Sequence, residues 1–99
     1  MSDNLFPIHE ARRLRAAKAY TLDRLEDGSL DLEAVLRKPP RALRNTTLYD
    51  ILVATKSLGP TGAKTTLEGA GLWPMLSLGE ISSTARERII ENLPPRFRS

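Results

Sequence analysis

At 99 residues with 40% hydrophobic side chains, the chain can close over one modest core, burying a little over about 60% of its unfolded surface, so a single domain spanning 1–99 is expected. With no cysteine and a single histidine, His9, disulfide frameworks, zinc ribbons and thiol nucleophiles are excluded, and neither a metal nor a cofactor is expected. Lys and Arg outnumber Asp and Glu by 15 to 12, a net charge of +3, and no apolar window approaches the ~20 residues of a membrane span, so the expected location is cytoplasmic.

From Ile8 to Glu26 there is neither Pro nor Gly. Ala11, Leu14, Ala17 and Leu25 share one side of a 3.6-residue wheel, widened by Tyr20 and Leu22, which predicts a long amphipathic helix over 8–26. Arg12, Arg13, Arg15, Lys18 and Arg24 flank that stripe. "EDGS" at 26–29 ends it, with Gly28 as the left-handed residue. A short second helix is read in "LDLEAVLRK", capped by Ser29 or Asp31, with Leu32, Val35 and Leu36 facing inward. The adjacent prolines of "KPPRALRNT" cannot continue a helix, so 39–45 is expected to be an extended connection carrying Arg41 and Arg44.

Thr47 with Asp50 resembles a capping box for a third helix running to about Lys56, with Leu48, Ile51, Leu52 and Thr55 at core spacing. A fourth helix is read from about Thr61 to Glu68 or Gly69, with Ala63 and Leu67 inside. "GAGLWPMLSLGEISS" is read as a loop. The last helix starts at Ser83 or Thr84, Thr84 with Glu87 making the better capping box, presents Ile89, Ile90 and Leu93, and stops at Pro94. Residues 94–99 are read as a flexible tail. No run alternates over strand length, and the fold class expected is all-α with about five helices.

Charge is unevenly distributed. Residues 26–35 hold four acids and no base, whereas 36–64 hold six bases (Arg37, Lys38, Arg41, Arg44, Lys56, Lys64) and one acid, Asp50. This basic segment is either a solvated face or a surface for a polyanion. It surrounds "SLGPTGAKTTL", residues 57–67, where two glycines and a proline precede a helix. The first N–H groups of such a helix and the positive end of its dipole make an anion site. Gly59 and Gly62 keep side chains away, Pro60 fixes the backbone, Thr61 lies in the same first turn, and Lys64 adds charge. A clamp of this kind holds DNA without reading its bases. The alternative is a helical hairpin whose glycines only permit tight packing.

Residues 47–93, "TLYDILVATKSLGPTGAKTTLEGAGLWPMLSLGEISSTARERIIENL", resemble the helix–two-turn–helix core of the actinobacterial integration host factors, which are small nucleoid-associated DNA-binding proteins. Leu58–Gly59 matches the family's turn, Ala63 its alanine, and Pro74 the proline before its loop. The long basic helix and the short helix with Leu32, Val35 and Leu36 match the family's N-terminal part. The resemblance implies Gly59 as a backbone clamp and Arg12, Arg13, Arg15 and Lys18 as phosphate contacts; Lys56, Arg41 and Arg44 join them on charge alone. Where family members carry loop arginines, this chain has Leu76, Ser77 and Gly79, a departure that suits a divergent copy such as a phage-borne or accessory relative.

Trp73 is read as a core or interface residue, with a DNA-kinking wedge as the less favoured use. No acid pair, Ser–His–Asp set or Walker-type loop is present, because "GPTGAKTT" lacks the spacing and ending of a P-loop, so no enzyme is expected. The resulting expectation is a nucleoid-associated architectural protein that binds duplex DNA through its phosphates and bends or compacts it. The alternative is a protein–protein adaptor or inhibitor using the apolar Leu72–Leu78 loop, with DNA binding reduced or lost.

Overall fold

The computed structural model describes the backbone of residues 6–97 and the side chains of 12–97. His9 and Ala11 therefore lie outside the described side chains. The domain is all-helical: α1 (Phe6–Asp27), α2 (Leu32–Arg37), α3 (Leu48–Ala54), α4 (Gly59–Ala70) and α5 (Ser83–Asn92), joined by 3-10 turns at Arg41–Leu43, Leu78–Glu80 and Pro95–Phe97. Among the described residues no strand forms; one isolated antiparallel bridge pairs Thr47 with Ser77.

The core is built mainly from leucine and isoleucine of every helix: Leu25, Leu36, Leu52, Leu67 and Ile89 are each at most 1% exposed. α4 packs between α3 and α5, α2 lies on α5, and α1 lies on α3 and the Arg41–Leu43 turn. Only the C-terminal part of α1 belongs to this core. Leu25 is fully buried and Leu22 half-buried, but Ala16, Ala17 and Tyr20 are exposed, so the expected stripe is not a core face along its whole length. Alanines bury too little apolar area to hold a helix down, and α1 runs on as a solvated rod in a molecule measuring 51 × 26 × 21 Å. Tyr20 instead lies under the Arg24 guanidinium, 5.7 Å from its ring centroid.

Gly28 ends α1 as expected, with φ +82°, and Leu30 N–H donates to Arg24 O at 3.1 Å. Hydrogen bonds from Ser29, its side chain first and its backbone N–H second, hold the Asp27 carboxyl below its ordinary value. Asp31 occupies the N-cap position of α2 but makes no side-chain capping bond. Arg37 of α2 donates to Glu33 at 3.1 Å and to Glu87 of α5 at 2.6 Å, which raises its pKa and ties two helices together at the surface.

The connection after the prolines is not extended throughout. Pro40 is extended, and Arg41–Leu43 then winds into a 3-10 turn because buried Leu43 must reach the core. Thr47 caps α3 as expected, accepting from Asp50 N–H at 3.2 Å. α4 starts at Gly59, not Thr61, and continues to Ala70, with Gly71 at φ +70° as its left-handed end. Its start was hidden because Gly59 and Pro60 read as turn residues, although Pro suits a first helical turn. α5 is capped by Ser82, not by Ser83 or Thr84: the Ser82 hydroxyl accepts from Ala85 N–H at 3.1 Å. The 69–83 loop contains an ordered turn, since Ser77 and Glu80 form a reciprocal capping box. Residues 95–97, expected within a flexible tail, form a 3-10 turn with Phe97 packed on the core.

Candidate nucleic-acid interface

The turn between α3 and α4 is fixed from three directions. Thr55 closes α3, its buried hydroxyl donating to Ile51 O at 3.0 Å. Lys56 N–H donates to Leu25 O at 2.9 Å, which joins the turn to the end of α1. Ser57, at φ +69°, is held by Arg96, whose Nη2 donates to its carbonyl at 2.8 Å.

Gly59 and Gly62 serve different purposes. Gly59 has φ +68°, and a Cβ there would meet nothing within 4 Å, so backbone conformation, not space, calls for glycine. At Gly62 a Cβ would lie 2.7 Å from Leu58 Cδ1. Its missing side chain admits a buried leucine beneath the turn, the tight packing that stood as the alternative to ligand access. Thr61 and Lys64 are exposed along α4, as is Lys56 in the turn.

Nothing within α4 neutralises its N-terminus, although Glu26 of α1 lines a shared hollow with Lys56 and Gly59. The N-cap of α4 is Leu58, which makes no capping bond, and there is no acid in the first turn. The backbone N–H groups that a helix start leaves unpaired therefore have no capping side chain, exposed Thr61 and Lys64 lie nearby on α4, and the helix dipole adds positive potential.

The remaining bases fall into separate places. Arg15 and Lys18 of α1 and Arg41 of the 3-10 turn line one small hollow. Lys18 lies seven residues before Leu25, so this group and the Lys56 end of the turn are about 10 Å apart along the α1 axis. Arg12 and Arg13 stand exposed farther up the helix. Arg44 is exposed, and its carbonyl accepts from Gly79 N–H at 2.8 Å, which places it beside the loop where bases are missing.

That loop is rigid in its backbone: Leu48 N–H donates to Leu76 O at 2.8 Å and Tyr49 N–H to Pro74 O at 3.1 Å. Leu78 is buried and Leu72 and Leu76 half-buried, but Trp73 is 66% and Met75 56% exposed, so Trp73 is not a core residue. Tyr49, Lys64, Pro74 and Met75 line one apolar hollow beside it.

Sequence reasoning left Arg96 in a flexible tail, with a DNA minor groove as its less favoured place, and missed its bond to Ser57, since nothing local announces a carbonyl 39 positions away. It also missed the Ser77–Glu80 box, whose spacing was readable. The class defined by this geometry is an all-helical fold in which a long basic helix, α1, precedes four shorter ones, α2 to α5. Among solved structures, sIHF bound to an 8bp palindromic DNA is similar to this chain with a TM-score of 0.73, covering 87% of this chain and 99% of that one at 16% identity. At that identity the likeness is one of fold. No protein-family model and no curated protein matches the sequence.

Proposed function

We propose that this chain is a small non-enzymatic architectural protein that holds duplex DNA by its phosphates and bends or compacts it in a nucleoid. The observation that carries the reading is the α4 N-terminus: Gly59 in a left-handed conformation, no capping side chain and no acid in its first turn, with Thr61 and Lys64 exposed nearby on α4. A phosphate seated there meets N–H donors, the helix dipole and a lysine together. Lys56, Arg12, Arg13, Arg15, Lys18, Arg41 and Arg44 supply further phosphate contacts, and Gly62 supports the turn. The DNA held by the structurally similar sIHF supports the same reading.

The test is fluorescence anisotropy of a labelled duplex of about two to three helical turns at low and near-physiological salt. The expected affinity falls with salt by about one unit of log–log slope per phosphate neutralised. Gly59→Glu and Arg12→Ala/Arg13→Ala both weaken it. A complex indifferent to salt, or no complex at low salt, rejects the reading.

The exposed Trp73 and Met75 favour a second reading, in which the Leu72–Leu78 loop is a protein-docking surface. The two readings separate on whether Trp73→Ala with Met75→Ala leaves duplex binding unchanged.

A further inference from the structure

Between α1 and the Arg41–Leu43 turn lies a hollow of about 130 Å³, with Arg15, Lys18, Arg41, Asn45 and Thr46 among its lining residues and no acid among the described ones. It has room for a tetrahedral oxyanion, whose oxygens are each close to a water molecule in size. Arg15 and Lys18 are three positions apart and therefore neighbours on the helix surface. Lys18 is half-buried, which suits a stem lying on apolar surface with its ammonium at the mouth.

Thr46 is 2% exposed, and its hydroxyl has no hydrogen-bond partner. Both of its backbone groups are satisfied: its N–H donates to Leu43 O at 3.0 Å, and its carbonyl accepts from Leu78 N–H at 3.0 Å. The backbone therefore needs nothing from the hydroxyl. A buried unpaired hydroxyl costs stability in the free protein, and valine would fill the same volume without that cost.

We infer that this hollow is an oxyanion seat that takes one backbone phosphate of the duplex. Lys18, Arg15 and Arg41 line it with positive charge, and Asn45 offers an amide. The Thr46 hydroxyl donates to a phosphate oxygen after a turn of about 120° about χ1, which carries it to another of the three staggered positions on Cβ. The inference rests on the DNA reading for the source of the phosphate. It adds to that reading a located second contact, about 10 Å along α1 from the turn.

The experiment pairs two titrations on the full chain. Inorganic phosphate is added at constant ionic strength against a chloride control and followed through backbone amide chemical shifts; a labelled duplex is followed by anisotropy. Thr46→Val, Lys18→Gln and the control Arg88→Gln, on exposed α5 surface, are compared with the parent. Saturable phosphate shifts are expected at the amides of Lys18, Asn45 and Thr46, in addition to those at the start of α4. Lys18→Gln should weaken duplex binding several-fold and lower the salt slope by about one unit. Thr46→Val should weaken it while leaving Tm unchanged or higher, a combination that a purely structural threonine does not give.

Duplex binding unchanged in both variants but lost in Gly59→Glu overturns the seat and leaves the DNA reading standing. If the parent binds no duplex, the DNA reading fails, and the phosphate titration decides the seat alone. Saturable shifts there make it a site for free phosphate, and their absence rejects it.

Discussion

α4 and α5 begin in opposite ways. Ser82 precedes α5 in an extended conformation, φ −78° and ψ 168°, and its hydroxyl takes up an N–H that the helix cannot pair. Leu58 precedes α4 with φ −91° and ψ −56°, already helical, and its side chain is buried beneath Gly62 instead of reaching for the backbone. α2 has no capping bond either, but Asp31 and Glu33 put negative charge at its start. One helix end is thus completed by its own cap, while the start of α4 has neither a side-chain cap nor an acid of its own. That difference is what an external anion would use.

The largest effect should come from trying to make α4 begin like α5. Leu58→Ser supplies the hydroxyl, but the backbone before α4 is not the extended conformation a side-chain cap requires, and the substitution empties a buried site. A loss of about 2–4 kcal/mol on denaturant unfolding is expected. A variant as stable as the parent would mean that the serine does cap and that the contrast is only one of residue type.

Gly59→Glu comes next, acting on stability and binding together. A non-glycine residue at φ +68° costs roughly 1–2 kcal/mol, and a carboxylate at the helix start competes for the place of a phosphate, so duplex affinity should fall at least about tenfold. Gly59→Asn separates the two contributions, since Asn tolerates the left-handed region and adds no charge. Retained binding in Asn with loss in Glu points to electrostatics. Loss in both points to the conformation of the turn.

At the completed end, Ser82→Ala should cost about 1 kcal/mol, measured by thermal unfolding, and leave duplex binding untouched. Weakened binding in that variant would erase the distinction between the two helix starts.

Much of this architecture was legible because a few residues punctuate it strongly. Gly28, Pro39 and Pro40, Thr47 with Asp50, and Pro94 act through local backbone chemistry, and each sits at or within a few residues of an observed boundary. The errors share a physical cause. Three-residue 3-10 turns carry too little periodicity to detect, and they form because neighbours such as Leu43 and Phe97 find a place in the core. An apolar pattern does not say which apolar residues are covered, so Ala17 and Tyr20 were assigned inward and Trp73 to a core or an interface, although the surface of any protein retains apolar side chains. At the turn, the identity of Gly59 was readable, but its support by Leu25, Leu58 and Arg96 comes from residues brought together only by folding.

Arg96 gives the smallest expected effect and the finest probe of the open helix start. Its guanidinium donates to Ser57 O and lies 4.9 Å from the Phe97 ring centroid, so the C-terminal segment straps the turn from outside. The side chain is at the surface, where such bonds contribute little to global stability, and Arg96→Ala should leave Tm nearly unchanged. Its consequence should be local: faster amide exchange at Leu58, whose N–H donates to Thr55 O at 3.2 Å within the strapped turn, and a duplex Kd within about threefold of the parent. Arg96→Lys keeps the charge but loses the planar fork, so it should recover the salt dependence without restoring protection at Leu58. If lysine restored both, Arg96 would act as a charge near the phosphates, and the left-handed Ser57 would be held by the chain around it alone.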